Sequence, residues 1–122
     1  MPTLTASAQA RIAAHCHQAV ERLVQATYAR LQDRSPVGTG PNAGLLRANW
    51  RCGVNQLDPT VTLHTTPEPL SIPPWQLGDR IILSNSLRYA RGLEYGHSSQ
   101  APTGVVGVTA AELLSGTLTG TR

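Results

Sequence analysis

The sequence predicts an α+β fold: a long N-terminal amphipathic helix packed on a small antiparallel β-sheet, followed by a short C-terminal helix. Three observations carry this expectation. Residues 6–33 run without Gly or Pro and repeat apolar residues at helical spacing. The middle of the chain holds short apolar or β-branched runs separated by Pro- and Gly-rich stretches. A second short helical pattern comes near the end. With 122 residues, the chain is expected to form one domain, 1–122, because so little chain cannot build two independent cores.

In the first segment Ile12, Cys16, Ala19, Val20, Leu23, Thr27 and Leu31 recur at steps of three and four along one face, with Arg11, Gln18, Glu21, Arg22, Gln25 and Gln32 opposite. At about 1.5 Å per residue such a helix is roughly 40 Å long, so it must pack along a sheet, a neighbouring subunit, or both. Ser35 to Gly44 reads Ser-Pro-Val-Gly-Thr-Gly-Pro-Asn-Ala-Gly, which stops the helix and makes turns. The sheet and loops are expected over about 45–108. Leu45 to Asn49 reads as a helical turn leading into a strand over Trp50 to Val54, and Thr60 to Thr66 alternates as a half-buried strand. Pro67 to Gly78 carries four prolines around Trp75 and reads as an inserted loop. Arg80 to Asn85 is the next strand, and Leu87 to Tyr95 reads as a helical turn or two that Gly96 ends. Val105 to Val108 is a short apolar run. The last helix is expected over about 109–114, with Thr109 as cap and Glu112 completing a capping box, and the tail 115–122 is expected to fray.

Composition narrows the function classes. All 10 basic residues are Arg, 7 acids oppose them, and the net charge is +3. Arg favours planar, bidentate contacts over a diffuse field, although the codon bias of a GC-rich genome would give the same preference. No basic run interleaved with aromatics argues for sequence-specific nucleic-acid binding. No apolar run nears the roughly 18 residues needed to span a bilayer, and Met1 to Ala10 lacks the apolar stretch of an export signal, so neither membrane insertion nor export is expected. Cys16 and Cys52 are too few to staple a secreted domain, and both are expected to be free thiols in a reducing compartment.

The residues offer little chemistry. His15 and His17 point nearly opposite ways on a helix and cannot share a metal, so no metal and no cofactor is expected. Cys52, served by His64 or His97, lacks the local signature of a nucleophile and reads as a small core residue. Gly38-Thr39-Gly40 lacks the Gly-Lys-Ser/Thr ending of a phosphate loop, and the chain has no Lys. Glu94 is an isolated carboxylate in an aromatic setting, better suited to an ion pair with Arg47, Arg88 or Arg91 than to acid catalysis. An enzyme is not expected.

Two spaced motifs remain. The first is Ser35-Pro36-Val37-Gly38-Thr39-Gly40 followed by Leu45-Leu46-Arg47-Ala48-Asn49-Trp50. The second is Ile82-Leu83-Ser84-Asn85 followed by Tyr89-Ala90-Arg91-Gly92-Leu93-Glu94-Tyr95-Gly96-His97-Ser98-Ser99-Gln100-Ala101-Pro102-Thr103-Gly104. Together they resemble the small neck proteins of tailed bacteriophages, the tail-completion or head-tail joining proteins of the lambda minor tail protein Z type. The resemblance covers about residues 10–114, and the second block is the specific one. The chain departs from that pattern in having Gly38 where Asp is usual, the insertion Pro41-Asn42-Ala43-Gly44, and an enlarged loop from Pro67 to Trp75.

The resemblance implies a structural virion protein that forms a ring of six subunits at the head-proximal end of the tail, assembled in the host cytoplasm and without catalytic activity. Its implied partners are further copies of itself, the tail terminator, the head-closure or connector proteins, and double-stranded DNA crossing the lumen without sequence specificity. Tyr89, Leu93, Glu94, Tyr95 and Gly96 are the candidates for the subunit interface; Val37, Thr39, Gly40 and Trp75 for docking loops; Arg47, Arg51 and Arg91 for the lumen or for ion pairs. Tyr89 and Leu93 would serve equally in the monomer's own core, and the arginines as solvated surface. A tail terminator or head-closure ring of the same neck is the nearest alternative, and a small cytosolic DNA-binding or hydrolytic protein the more distant one.

Overall fold

Thr5 begins the described chain with its side-chain oxygen accepting a 3.2 Å bond from the Ala8 amide, which satisfies one of the orphan donors of the helix that follows. That helix, α1, spans Ala6–Arg34. A computed structural model describes residues 5–38, 40–88 and 105–116. After α1 come a 3-10 turn at Arg47–Asn49, strand β1 (Trp50–Val54), strand β2 (Ile81–Asn85) and helix α2 (Val106–Ser115). The fold is α+β; the described residues form two α-helices and a two-stranded antiparallel sheet.

The two strands run in the register Trp50↔Asn85, Arg51↔Ser84, Cys52↔Leu83, Gly53↔Ile82 and Val54↔Ile81. One further rung follows, where the Asn55 amide donates to the Arg80 carbonyl at 2.7 Å. Alternation puts Trp50, Cys52 and Leu83 on the same face, and there Trp50 joins Tyr28, Leu31 and Val105 in the buried cluster, with Leu70 and Leu83 packed against it. Burying such a side chain stabilises by about 1.5–3 kcal/mol.

Only the last third of α1 meets this core. Tyr28 and Leu31 are its buried residues, and Ser35 follows at the next turn. The face expected from the sequence is therefore corrected: Leu31 belongs to it, but Tyr28 replaces Thr27, whose hydroxyl instead turns back to the Leu23 carbonyl at 2.8 Å. Toward the N-terminus Ile12 is 51% exposed.

Three further expectations change. Thr60 to Thr66 is not a strand. The Thr62 amide donates to Oδ1 of Asn49 at 2.7 Å, the Thr62 carbonyl accepts from its Nδ2 at 3.2 Å, and the Thr60 carbonyl accepts from Nε of Arg51 at 3.1 Å. Side chains supply the bonds a neighbouring strand would have made, so the segment is extended without joining a ladder. The capping box at Thr109 is absent, because α2 begins at Val106 and absorbs the expected apolar run. Thr109 lies one turn in, its hydroxyl donating to the Val105 carbonyl at 2.8 Å. Ser115, expected in the frayed tail, closes the helix, and Gly116 adopts φ 78° as its left-handed C-cap. Among the described residues no helix is long and apolar enough to cross a membrane.

Candidate functional site

Arg47 and other motif residues within the described chain meet at the junction where α1 ends, the turn region begins and the hairpin starts. Ser35, 1% exposed, is its hub. Its hydroxyl donates to the Leu31 carbonyl at 2.6 Å and accepts from the Trp50 indole N–H at 2.7 Å. Arg47 donates from Nε to the Ser35 carbonyl at 2.8 Å and from Nη2 to the Asp33 carbonyl at 3.1 Å. A guanidinium there satisfies carbonyls that the helix end leaves open and complements its dipole.

Asn49 has no exposed surface. Beyond its two bonds to Thr62, its Nδ2 donates to the Leu45 carbonyl at 2.8 Å. Asn85 works similarly from β2, donating to the Leu46 carbonyl at 2.9 Å and accepting from the Leu87 amide at 3.2 Å. Gly44 holds the turn between them with φ +86°, and a Cβ there would stand 3.1 Å from the Thr65 carbonyl oxygen. Conformation and space therefore both favour glycine at that position.

The Pro-rich segment between Pro67 and Gly78 docks on α1. Trp75 stacks on His17 with ring centroids 4.1 Å apart and planes 9° from parallel. Its indole N–H donates to Oε1 of Glu21 at 3.1 Å, and that oxygen lies 3.4 Å from Nδ1 of His17. Further along, the Tyr28 hydroxyl donates to the Glu68 carbonyl at 3.0 Å. At the C-terminal end of α1, Arg34 forms an ion pair with Glu112 and donates to the Thr109 hydroxyl at 3.0 Å, joining α1 to α2.

Of the docking candidates, Val37 and Gly40 lie exposed on the turn region and Trp75 is half-buried against His17. Arg47 and Arg51 both engage backbone carbonyls. Thr39, Tyr89, Arg91, Leu93, Glu94, Tyr95 and Gly96 fall outside the described residues. Sequence reading placed Ser35, Asn49 and Asn85 in the two motifs but missed them as structural hubs; of the three only Asn49 stands next to an aromatic residue, Trp50.

Two adjoining cavities follow β1. One, of about 290 Å³, is lined by Trp50, Arg51 and Cys52 of the strand with Tyr28, Asp58, Thr60, Thr62 and the Glu68–Ser71 stretch. The other, of about 490 Å³, continues along Cys52, Gly53 and Val54 toward Pro73, Pro74 and Asp79. Burial, followed by the nearby Asp58 charge, raises the Cys52 thiol above its ordinary pKa, which favours the protonated and unreactive form. Asp58 is lowered, first by the bond from the Thr60 hydroxyl and then by that from its amide. Asp79 is lowered by the Gln76 amide and then by the Asn55 side chain. Among the described residues no three His, Cys, Asp or Glu side chains come together as a metal site.

No family model matches the chain, and no characterised protein or solved structure shows a significant similarity to it.

Proposed function

We propose that the protein is a structural component of the neck of a tailed bacteriophage, a ring-forming tail-completion protein that joins the tail to the DNA-filled head. The observation that supports this reading most is the pairing of the two motifs. The first block ends at Trp50 and the second opens over Ile82 to Asn85; 31 residues separate them in sequence, yet Trp50 stands opposite Asn85 across the hairpin. Asn85 also bonds back to Leu46 inside the first block. The polar residues of the first block, Ser35, Arg47 and Asn49, are occupied in closing that same junction. In this chain the first block and the opening residues of the second, Ile82 to Asn85, lie together in one folded junction, which supports reading the two motifs as a pair.

In this reading the protein acts without catalysis. Its subunits meet through the stretch Tyr89 to Gly96, the turn region and the Pro-rich segment face the neighbouring rings, and DNA crosses the lumen past sparse positive charge. Arg47 and Arg51, each already donating to a carbonyl, would contribute field rather than tight phosphate grip. Sedimentation and negative-stain microscopy of the purified protein test the proposal. Closed rings, formed alone or on addition of a head-closure or tail-terminator ring, are expected; a protein that stays monomeric in both settings contradicts it.

A further inference from the structure

A sheet of two strands is marginal on its own, and each of its outer edges carries unpaired backbone groups. The rung between Asn55 and Arg80 fixes which groups those are. In an antiparallel ladder the bonded pairs alternate, so Arg51, Gly53 and Asn55 turn their amides and carbonyls toward β2. Trp50, Cys52 and Val54 turn theirs outward, as do Ile81, Leu83 and Asn85 on the other strand. Among the described residues, none of these outward groups has a backbone partner.

The two edges differ in their surroundings. Along β1 the two cavities meet at Cys52 and Asp58. Consecutive strand residues line them, although successive side chains leave opposite faces, so the cavities open onto the strand's edge. Cys52 is itself buried, and the hydroxyl of Thr62, which lines the same space, is buried without a hydrogen-bond partner. Buried donors and acceptors left open in this way favour an occupant that can bond to them. The groove is also acidic, with Asp58, Glu68 and Asp79 against the single Arg51. Along β2 the polarity reverses. Arg80 and Arg88 stand exposed at either end of the strand, which is half-buried throughout.

We infer that the groove along β1 receives the outer edge of β2 from a second copy of this chain, so that hairpins join edge to edge into a continuous antiparallel sheet. Both strands have five residues, and the arginines flanking β2 of one copy meet the carboxylates lining the groove of the next. The contact joins two different patches, so it propagates head to tail and closes as a ring when the rotation permits. This deepens the ring-forming reading proposed above and rests on it, adding the hairpin edges to the subunit contact proposed at Tyr89 to Gly96.

Residue-resolved amide exchange on the free and the assembled protein tests the inference, with the variant Ile81→Pro as companion. Proline at the first residue of β2 removes an outward amide and no bond within the hairpin. Assembly is expected to slow exchange at Cys52, Val54, Ile81 and Leu83 by at least tenfold, while Arg51 and Gly53 are protected in both states. Ile81→Pro is expected to keep the hairpin protection and to remain monomeric. A ring in which those four amides exchange as fast as in the monomer overturns the edge pairing and leaves the ring reading standing. A closed dimer protecting Ile81 and Leu83 alone also overturns it, because the pairing is then β2 on β2. Failure to assemble under any condition overturns both.

Discussion

The Trp50 indole N–H donates to the Ser35 hydroxyl at 2.7 Å, and that same hydroxyl donates to the Leu31 carbonyl one turn back in α1. The first residue of the sheet is thereby tied to the end of the long helix through one small buried side chain. Because Ser35 is 1% exposed, neither partner can exchange its bond for water without opening the core. The direction of β1 as it leaves the helix follows from this contact.

Trp50→Phe keeps most of the apolar contact and deletes the donor, while Ser35→Ala deletes the acceptor. Each is expected to destabilise the fold by about 1–3 kcal/mol, the cost of stranding a buried polar group. The double variant is expected to cost clearly less than the sum of the two, since the groups act on each other. Urea unfolding of the four proteins measures the coupling; strict additivity would show that the bond is energetically idle.

Asn49 makes three bonds with one amide, to Leu45 and to both backbone groups of Thr62. Asn49→Leu fills similar volume but leaves three backbone groups short of a partner, and is expected to cost roughly 3 kcal/mol or more. The released segment would give a local signature. Limited proteolysis between Leu57 and Thr66 should accelerate in this variant before global unfolding does.

The ion pair between Arg34 and Glu112 is three-quarters buried on both sides, with side-chain exposures of 26% and 23%. It lies between the exposed pairs that contribute almost nothing and the fully buried ones whose disruption is severe. Arg34→Met, which also strips a donor from the Thr109 hydroxyl, is expected to cost about 1–2 kcal/mol and to loosen α2 first. Amide exchange in α2 rising ahead of that in β1 is the expected pattern, whereas uniform loss would place the helix in the main cooperative unit.

Two limbs of pH dependence follow from the titrating groups. Asp58 and Asp79 are held below the ordinary carboxylate pKa by their hydrogen bonds, so the folded state gives up their protons more readily than the unfolded one. Their contribution is complete above about pH 4 and is lost as pH falls through their lowered values. Cys52 and Tyr28 are raised, chiefly by burial, from 9.0 and 10.0. The folded state holds those protons more tightly, so stability is full below pH 9.0, the ordinary thiol value, and declines as pH rises through the raised values. Thermal melts from acid to alkaline pH should show both limbs, with Asp58→Asn flattening the acid one and Cys52→Ala the alkaline one.

Local pattern foretold the elements that depend on local chemistry. The uninterrupted stretch that became α1 and the run from Ile81 to Asn85 were readable because periodicity and breaker residues act within a few positions. The segment from Thr60 to Thr66 has strand composition too, yet it lacks a ladder because Asn49 and Arg51 reach it first. That is a tertiary event that β-propensity cannot register. The spacing of Thr109 and Glu112 suggested a cap, but both side chains are drawn to Arg34, 75 residues before Thr109. The groove along β1 was invisible for the same reason, since residues from four separate stretches line it. Asn49 and Asn85 could be quoted in the motifs but not given roles, because an asparagine that clamps a loop reads no differently from one that faces solvent.

The central claim, that this chain couples head to tail in a virion, is tested most directly by electron microscopy of particles assembled from a phage genome lacking its coding sequence. The account predicts DNA-filled heads without tails beside finished, unattached tails of normal length, restored to joined particles when the protein is added back. Normal, infectious particles in its absence would contradict it.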